Sequence, residues 1–309
     1  MDINNSQLNI NHLKMIATIA QSDTVKEAAQ RLFISQPALT NRIREAERRL
    51  NTRLFVHHGR KLVISSAGKR LLHSASKILE ELARAEYDIA RLCHGVDQVL
   101  RIGLPHYASF KWLPGVVSYF ARELPNTELE ITANAAKQPL TALYNGELDI
   151  AIISSAKQTL AIDDTAYGSI FILRDELLAC LSSQHKFAHK SHLTAQDFVD
   201  ETYITNSTIP ESDREYELFF KPQNVLPRKV LQVGFNEAII ELIKVNLGVS
   251  ILSKQLVQPY LNNKDLHTVK LGESGLAIYW HLVYLKQDPI AEPAKIITSL
   301  FKHYAQQTK

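Results

Sequence analysis

Over the first 65 residues, apolar positions recur every three or four residues in three short runs, each broken by polar turn signals. Leu13, Ile16, Ala17 and Ala20 share one helical face and predict a first helix over 8–21. Thr24 and Glu27 form a capping box ahead of Val25, Ala28, Ala29 and Leu32, a narrow stripe whose two alanines let another helix come close. Phe33-Ile34-Ser35 reads as a turn. Ser35 caps the next helix, and Pro37 sits in its first turn, where a missing amide hydrogen costs little. Leu39, Ile43, Ala46 and Leu50 make the buried stripe of this third helix, leaving Gln36, Thr40, Asn41, Arg44 and Arg48 on the opposite face. Segment 54–65 predicts two short strands around Gly59-Arg60-Lys61, a wing beside the helices.

The pattern then changes twice. From 66 to 94, Leu71, Ala75, Ile78, Leu82, Ala85, Ile89 and Leu92 are spaced alternately by four and three, a heptad seam flanked by charge that suits pairing with a second helix. After Gly95, strand-like and helix-like runs alternate. Strands are expected at 99–104, 127–132, 148–154, 169–173, 175–181, 202–205, 229–233, 249–253 and 277–285. Helices are expected at 110–124, 138–145, after Thr194, and at 211–220, 236–246 and 290–305. Such alternation predicts an α/β fold with a mostly parallel sheet covered by helices.

Charge sharpens this division. The chain carries a formal +3, but residues 1–95 hold 15 Lys and Arg against 9 Asp and Glu, and residues 26–70 hold 11 against 3. A compact basic block on a chain near neutrality points to a polyanion, because cations gain affinity by releasing counterions from phosphates. A capped helix with Gln, Asn and Arg on its free face, preceded by a short helix and a tight turn, suits the major groove of double-stranded DNA. There Gln and Asn read adenine, and Arg reads guanine or holds phosphate. The wing residues Arg60 and Lys61 suit the minor groove or the backbone.

The ordered set Ala28-Ala29, Ser35-Gln36-Pro37-Ala38-Leu39-Thr40, Ile43, Leu50, Leu54-Phe55 and Ala67-Gly68 resembles the N-terminal signature of the LysR-type transcriptional regulators. Leu100-Arg-Ile-Gly, Gly146-Glu-Leu-Asp-Ile-Ala-Ile and Asn246-Leu-Gly-Val-Ser-Ile-Leu are similar to pieces of that family's effector domain, so the likeness covers nearly the whole chain. It implies a winged helix-turn-helix over 1–65 and a linker helix for dimerisation over 66–95. It further implies a two-lobed α/β effector domain over 96–309, like type 2 periplasmic binding proteins. The lobes are expected at roughly 96–165 with 270–309, and 166–269. Operator contacts are implied for Ser35, Gln36, Pro37, Thr40, Asn41 and Arg60. Where the family often has Ser-Arg this chain has Thr40-Asn41, so one charged contact is missing, with Arg42 or Arg44 available in its place.

The family's ligand lies between lobes on loops after strand ends, where helix N-termini offer free amides to an anion. On this chain those loops carry His106, Tyr107 and Ser109, then Ser154 beside Ser155, Asn206 beside Thr205, and Phe235-Asn236. Arg101-Ile-Gly-Leu, Lys111-Trp-Leu-Pro, Phe120, Phe220-Lys-Pro and Val225-Leu-Pro resemble the family's homocysteine-responsive branch, implying homocysteine or a related metabolite as effector. A homodimer or homotetramer and RNA polymerase are the expected protein partners.

Rival classes find less support. No nucleophile elbow, phosphate loop or dinucleotide fingerprint is present, so no enzyme and no cofactor is expected. His185, His189 and His192 sit among Lys and Ser and read as a polar loop rather than a metal set. Cys93 and Cys180 are too few and too far apart for a disulfide framework, and Cys180 in an apolar strand reads as an inert thiol rather than a redox sensor. An exported binding protein is disfavoured by the basic N-terminal block and the absence of a signal-like start, and a cytoplasmic, non-membrane setting is expected.

Overall fold

The computed structural model describes residues 6–58, 61–93, 95–105, 111–133, 138–209, 212–262, 264–287 and 290–306. The chain divides into two units, Met1–Gly95 and Val96–Lys309.

In the first unit, α1 (Ile10–Ala20), α2 (Val25–Arg31) and α3 (Gln36–Leu50) are followed by β1 (Phe55–His58), β2 (Lys61–Ile64) and α4 (Ser66–Cys93). Each of the first three helices starts on a polar cap. Asn9 accepts the amides of Asn11 and His12, Thr24 accepts Glu27, and Ser35 accepts Ala38. Glu27 reaches back to the amide of Asp23, one residue before the expected cap. The buried face of α1 is His12, Met15, Ile16 and Ile19, whereas Ala20 of the expected stripe is exposed. The rotation follows from α1 packing against α2, α3 and α4 together, contacts that its own sequence does not encode. The two strands pair antiparallel from Phe55–Ile64 to His58–Lys61. Gly68 brings α4 against the base of this hairpin: a Cβ there would lie 2.2 Å from the Leu54 carbonyl oxygen and 2.6 Å from Ile64. Within α4 only Gly68 and Ala75 are fully buried, while Ile78, Tyr87, Ile89 and Leu92 are exposed.

The second unit runs β3 (Gln98–Gly103), α5 (Leu113–Glu123), β4 (Thr127–Thr132), α6 (Pro139–Tyr144), β5 (Ile150–Ser155), β6 (Tyr167–Ser182), β7 (His192–Leu193), β8 (Thr202–Thr205) and β9 (Lys229–Gln232). It continues with α7 (Asn236–Lys244), β10 (Ser250–Ser253), α8 (Lys254–Val257), β11 (Leu266–Leu271), β12 (Leu276–Leu285) and α9 (Ala291–Gln306). Eight strands form one sheet along β4-β3-β5-β12-β6-β11-β7, with β10 also on β6. A separate pair joins β8 to β9.

The expected mostly parallel sheet is mixed. β3 is parallel to β4 and β5, but β12 runs antiparallel to β5 and β6, and β10 and β11 run antiparallel to β6. The later strands return to the sheet from the other direction, a long-range choice to which helical and strand periodicity is blind.

The two strands expected at 169–173 and 175–181 are a single sixteen-residue strand, β6. Its polar centre, Arg174-Asp175-Glu176, does not break it because Asp175 is buried and hydrogen-bonded. The Asp175 carboxylate accepts from Trp280 Nε1 at 3.0 Å and from the amides of Glu176 and Gln255. β6 pairs with β12 through Tyr167–Leu177 and with β10 and β11 beyond it, so one strand belongs to both halves of the sheet. Trp280, Phe120 and Phe198 are among the fully buried side chains of this unit, and Trp112 stacks on Phe301 at 4.9 Å, tying the start of α5 to α9. Beta strands at 192–193 and 266–271 had no expectation; the first is only two residues long and the second alternates with Lys and His.

Candidate nucleic-acid interface and effector site

The candidate groove-reading surface is one face of α3. Ser35 holds the helix start, its hydroxyl accepting the Ala38 amide at 3.4 Å, and Gln36 and Pro37 are exposed in the first turn. One turn on, the half-buried Thr40 donates its hydroxyl to the Gln36 carbonyl at 3.0 Å, which fixes its rotamer, and Asn41 is exposed beside it. Arg42 is half-buried; Arg44 and Arg48 are exposed. Leu39, Ile43 and Ala46 are buried, so the helix separates an apolar face from a polar one as its sequence period requires. Arg60, assigned to the wing, lies outside the described residues.

A residue not singled out from the sequence binds this surface to the wing. Glu47 of α3 is buried, and its Oε1 accepts the amides of Leu54 at 2.9 Å and Phe55 at 3.2 Å, while Oε2 accepts Arg53 Nη1 at 3.0 Å. The recognition helix therefore grips the first residues of the hairpin through a charge-assisted hydrogen-bond set. Arg44, Arg48 and Arg53 ring a shallow recess over this carboxylate, extending the cationic face past the end of α3. The available signal was a glutamate at an apolar-stripe position with an arginine six residues on.

The effector candidates among the described residues lie on β5, after β8 and at the start of α7. His106, Tyr107 and Ser109 lie outside the described residues. Ser154 is half-buried in β5, paired with Trp280 of β12. Asn206 follows β8 and lines a cavity of about 330 Å³. Phe235 is exposed at the start of α7, whereas Asn236 is buried in its first turn; neither they nor Ser154 line that cavity. Ser155, beside Ser154, is buried and donates its hydroxyl to Asp213 Oδ2 at 3.3 Å.

Other titratable groups have structural settings. His185 is buried, 3.3 Å from Glu201 and edge-on to the ring of Phe187. Among the described residues no group of three or more His, Cys, Asp and Glu is placed to hold a metal ion. Burial in β6 pushes the Cys180 thiol up to about 12, which keeps it protonated and unreactive, whereas Cys93 is exposed. No helix of the described residues is long and apolar enough to cross a membrane.

A short capped helix, a tight turn, a second helix with a free polar face and a β-hairpin define a winged helix-turn-helix; a mixed α/β unit follows it. Family models match both: a bacterial regulatory helix-turn-helix protein of the lysR family over residues 10–69, and the LysR substrate binding domain over residues 94–305. The chain belongs to the LysR family and is a LysR-type DNA-binding transcriptional regulator with an effector-binding domain.

Among its relatives, it is 27% identical over 282 residues to the HTH-type transcriptional regulator MetR of Haemophilus influenzae, covering 91% of this chain and 89% of that protein. It is 26% identical to the Hca operon transcriptional activator HcaR of Escherichia coli over 259 residues, 83% of each chain. Its fold is similar to the regulatory domain of MetR from N. meningitidis, with TM-score 0.60 and 20% identity over 68% of this chain and 95% of that one. It is also similar to full-length CbnR complexed with its target DNA, with TM-score 0.65 and 16% identity over 98% of this chain and 100% of that one.

Proposed function

We propose that the exposed face of α3 reads an operator in the major groove. Gln36, Thr40 and Asn41 address base edges; Ser35, Pro37 and the helix start position the backbone; Arg42, Arg44 and the wing Arg60 supply cationic contacts. The observation that carries this reading is the separation on α3, where Gln36, Asn41, Arg44 and Arg48 are exposed while Leu39, Ile43 and Ala46 are buried. Two copies pair through α4, whose exposed Ile78, Ile89 and Leu92 continue the heptad seam, so the operator has two half-sites. A homodimer or homotetramer, acting with RNA polymerase in the cytoplasm, completes the reading.

The effector is homocysteine or a related metabolite, in keeping with the relatives named MetR. It binds in the domain of residues 96–309 and changes the angle between lobes or between subunits. That re-spaces the paired recognition helices and alters DNA bending.

A gel-shift with the chain's own upstream promoter tests the DNA half. Gln36→Ala with Asn41→Ala is expected to weaken the specific shift at least about tenfold and leave the thermal transition unchanged. A salt-insensitive shift, or one indifferent to both substitutions, rejects it.

A further inference from the structure

The second unit holds a cavity of about 330 Å³, a size that suits a small metabolite, between β8, the loop that follows it, residues 214–220 and β9. Its lining mixes charged and apolar residues. Arg214 and Glu215 supply the charge; their side chains are only 6% and 17% exposed, and Arg214 Nε donates to Glu215 Oε2 at 3.0 Å. The phenol of Tyr203 donates to the second oxygen of Glu215 at 3.4 Å. Asn206 and Thr208 add an amide and a hydroxyl at the rim, and Thr208 is tied to β9 through Gln232 Oε1 at 3.1 Å. Leu226, Pro227 and Val230 add apolar lining. Behind it, Phe198, Tyr203, Phe219 and Phe220 meet edge to face with centroids 5.3 to 6.2 Å apart, so the floor is rigid.

One buried cation beside one buried anion selects among ligands. A purely anionic molecule meets Glu215 and a purely cationic one meets Arg214, and both side chains are largely shielded from solvent, which weakens screening of either repulsion. A wholly apolar molecule strips water from the charged pair without replacing its hydrogen bonds. A molecule with both charges on neighbouring atoms and a short apolar tail satisfies both kinds of lining.

We propose that this cavity binds a free α-amino acid, with Arg214 facing its carboxylate, Glu215 its ammonium group, and Leu226, Pro227 and Val230 its apolar side chain. This rests on the reading of residues 96–309 as an effector domain, and it moves recognition away from Ser154, Phe235 and Asn236. Asp213, next to Arg214, accepts from Ser155 at the end of β5, so the segment that lines the cavity is linked to the main sheet.

Calorimetric titration of the full chain tests the proposal with L-homocysteine, L-methionine and L-norleucine. Two single-charge probes accompany them: 3-(methylthio)propylamine, which lacks the carboxylate, and 4-(methylthio)butanoate, which lacks the amine. At least one amino acid is expected to bind saturably, with both single-charge probes at least about tenfold weaker. Val230→Trp, on a strand whose residues are all exposed, is expected to abolish the heat without shifting the thermal transition. Glu215→Gln is expected to weaken the amino acid and to strengthen 4-(methylthio)butanoate, an exchange that misfolding cannot produce. Single-charge probes that bind as tightly as the amino acids overturn the proposal, as does homocysteine binding undiminished in Val230→Trp; the latter leaves homocysteine as effector but moves its site. Norleucine or methionine binding without homocysteine supports the cavity and removes the homocysteine reading. No heat from any amino acid overturns the cavity proposal, and a promoter response to another metabolite then shows that the effector domain works by a different ligand.

Discussion

The two units of this chain assemble their candidate sites by opposite means. In the first, every described residue proposed to face the groove lies on α3 or at its cap, on the outside of a helix whose other face is filled by Leu39, Ile43 and Ala46. In the second, the cavity is lined from β8, the segment around Arg214, the 226–227 turn and β9, four pieces of the stretch 203–230 that fold back on one another. A surface that must enter a groove is local and protruding; one that must enclose a small molecule is concave and borrowed from several elements. The buried charges follow the same division. Glu47 orders the spacing between helix and wing, whereas Arg214 and Glu215 face a space that a ligand can fill.

Separate folding of the two surfaces can be broken first at the tightest contact. Gly68→Val places a side chain against the Leu54 carbonyl and Ile64, and is expected to destabilise the first unit by about 3 kcal/mol. Differential scanning calorimetry with a gel-shift should show lost DNA binding and an early transition, while ligand heat in the second unit persists. Loss of both activities together would show the units to be one cooperative body.

Glu47→Ala is the next largest. It leaves the buried amides of Leu54 and Phe55 without their acceptor, at about 2 kcal/mol, and frees the wing from α3. Operator affinity should fall although no groove-facing residue has changed; retained affinity would mean that α3 acts without a fixed wing.

The smallest effect sharpens the second unit. Burial holds His281 below the ordinary histidine value of 6.5, with its ring against Phe171 and Nε2 near the Lys157 carbonyl. The unfolded chain then takes up this proton before the folded one does. Stability is therefore full above about pH 6.5 and declines as pH falls below it, until the folded group also protonates. Urea titrations between pH 7 and 5 should show that decline, and His281→Gln should flatten it. An unchanged slope in the variant would assign the decline to other groups.

Much of the first unit was legible because it is built from local signals. Ser35 and Pro37 mark a helix start, and the 39-43-46 stripe sets which face is free. The residues that orient that surface were harder to see. Glu47 occupies a stripe position where an apolar residue would serve as well, and only the approach of Leu54 and Phe55 gives it a task. In the second unit, strand β6 was split at Asp175 because a buried carboxylate is stable only with donors that arrive from Trp280, 105 residues away, and Gln255, 80 residues away. The cavity was missed because it forms only when pieces of the stretch 203–230 fold back on one another. Asn206 was singled out, but Arg214, Glu215 and Val230 read as ordinary surface residues until β8 and β9 pair.

Helical period, caps and the basic block between 26 and 70 were enough, from the sequence by itself, to determine a helix-turn-helix, its exposed face and the long helix that follows it. These depend on residues within a turn or two of one another. Sheet direction, the unbroken run of β6, the grip of Glu47 on the hairpin and the meeting of Arg214 with an apolar lining were decided only in the tertiary structure. Each requires partners outside the reach of a single helical or strand period, from seven residues away for Glu47 to 105 for Asp175, and the free energy of a buried charge has no sign until those partners are in place.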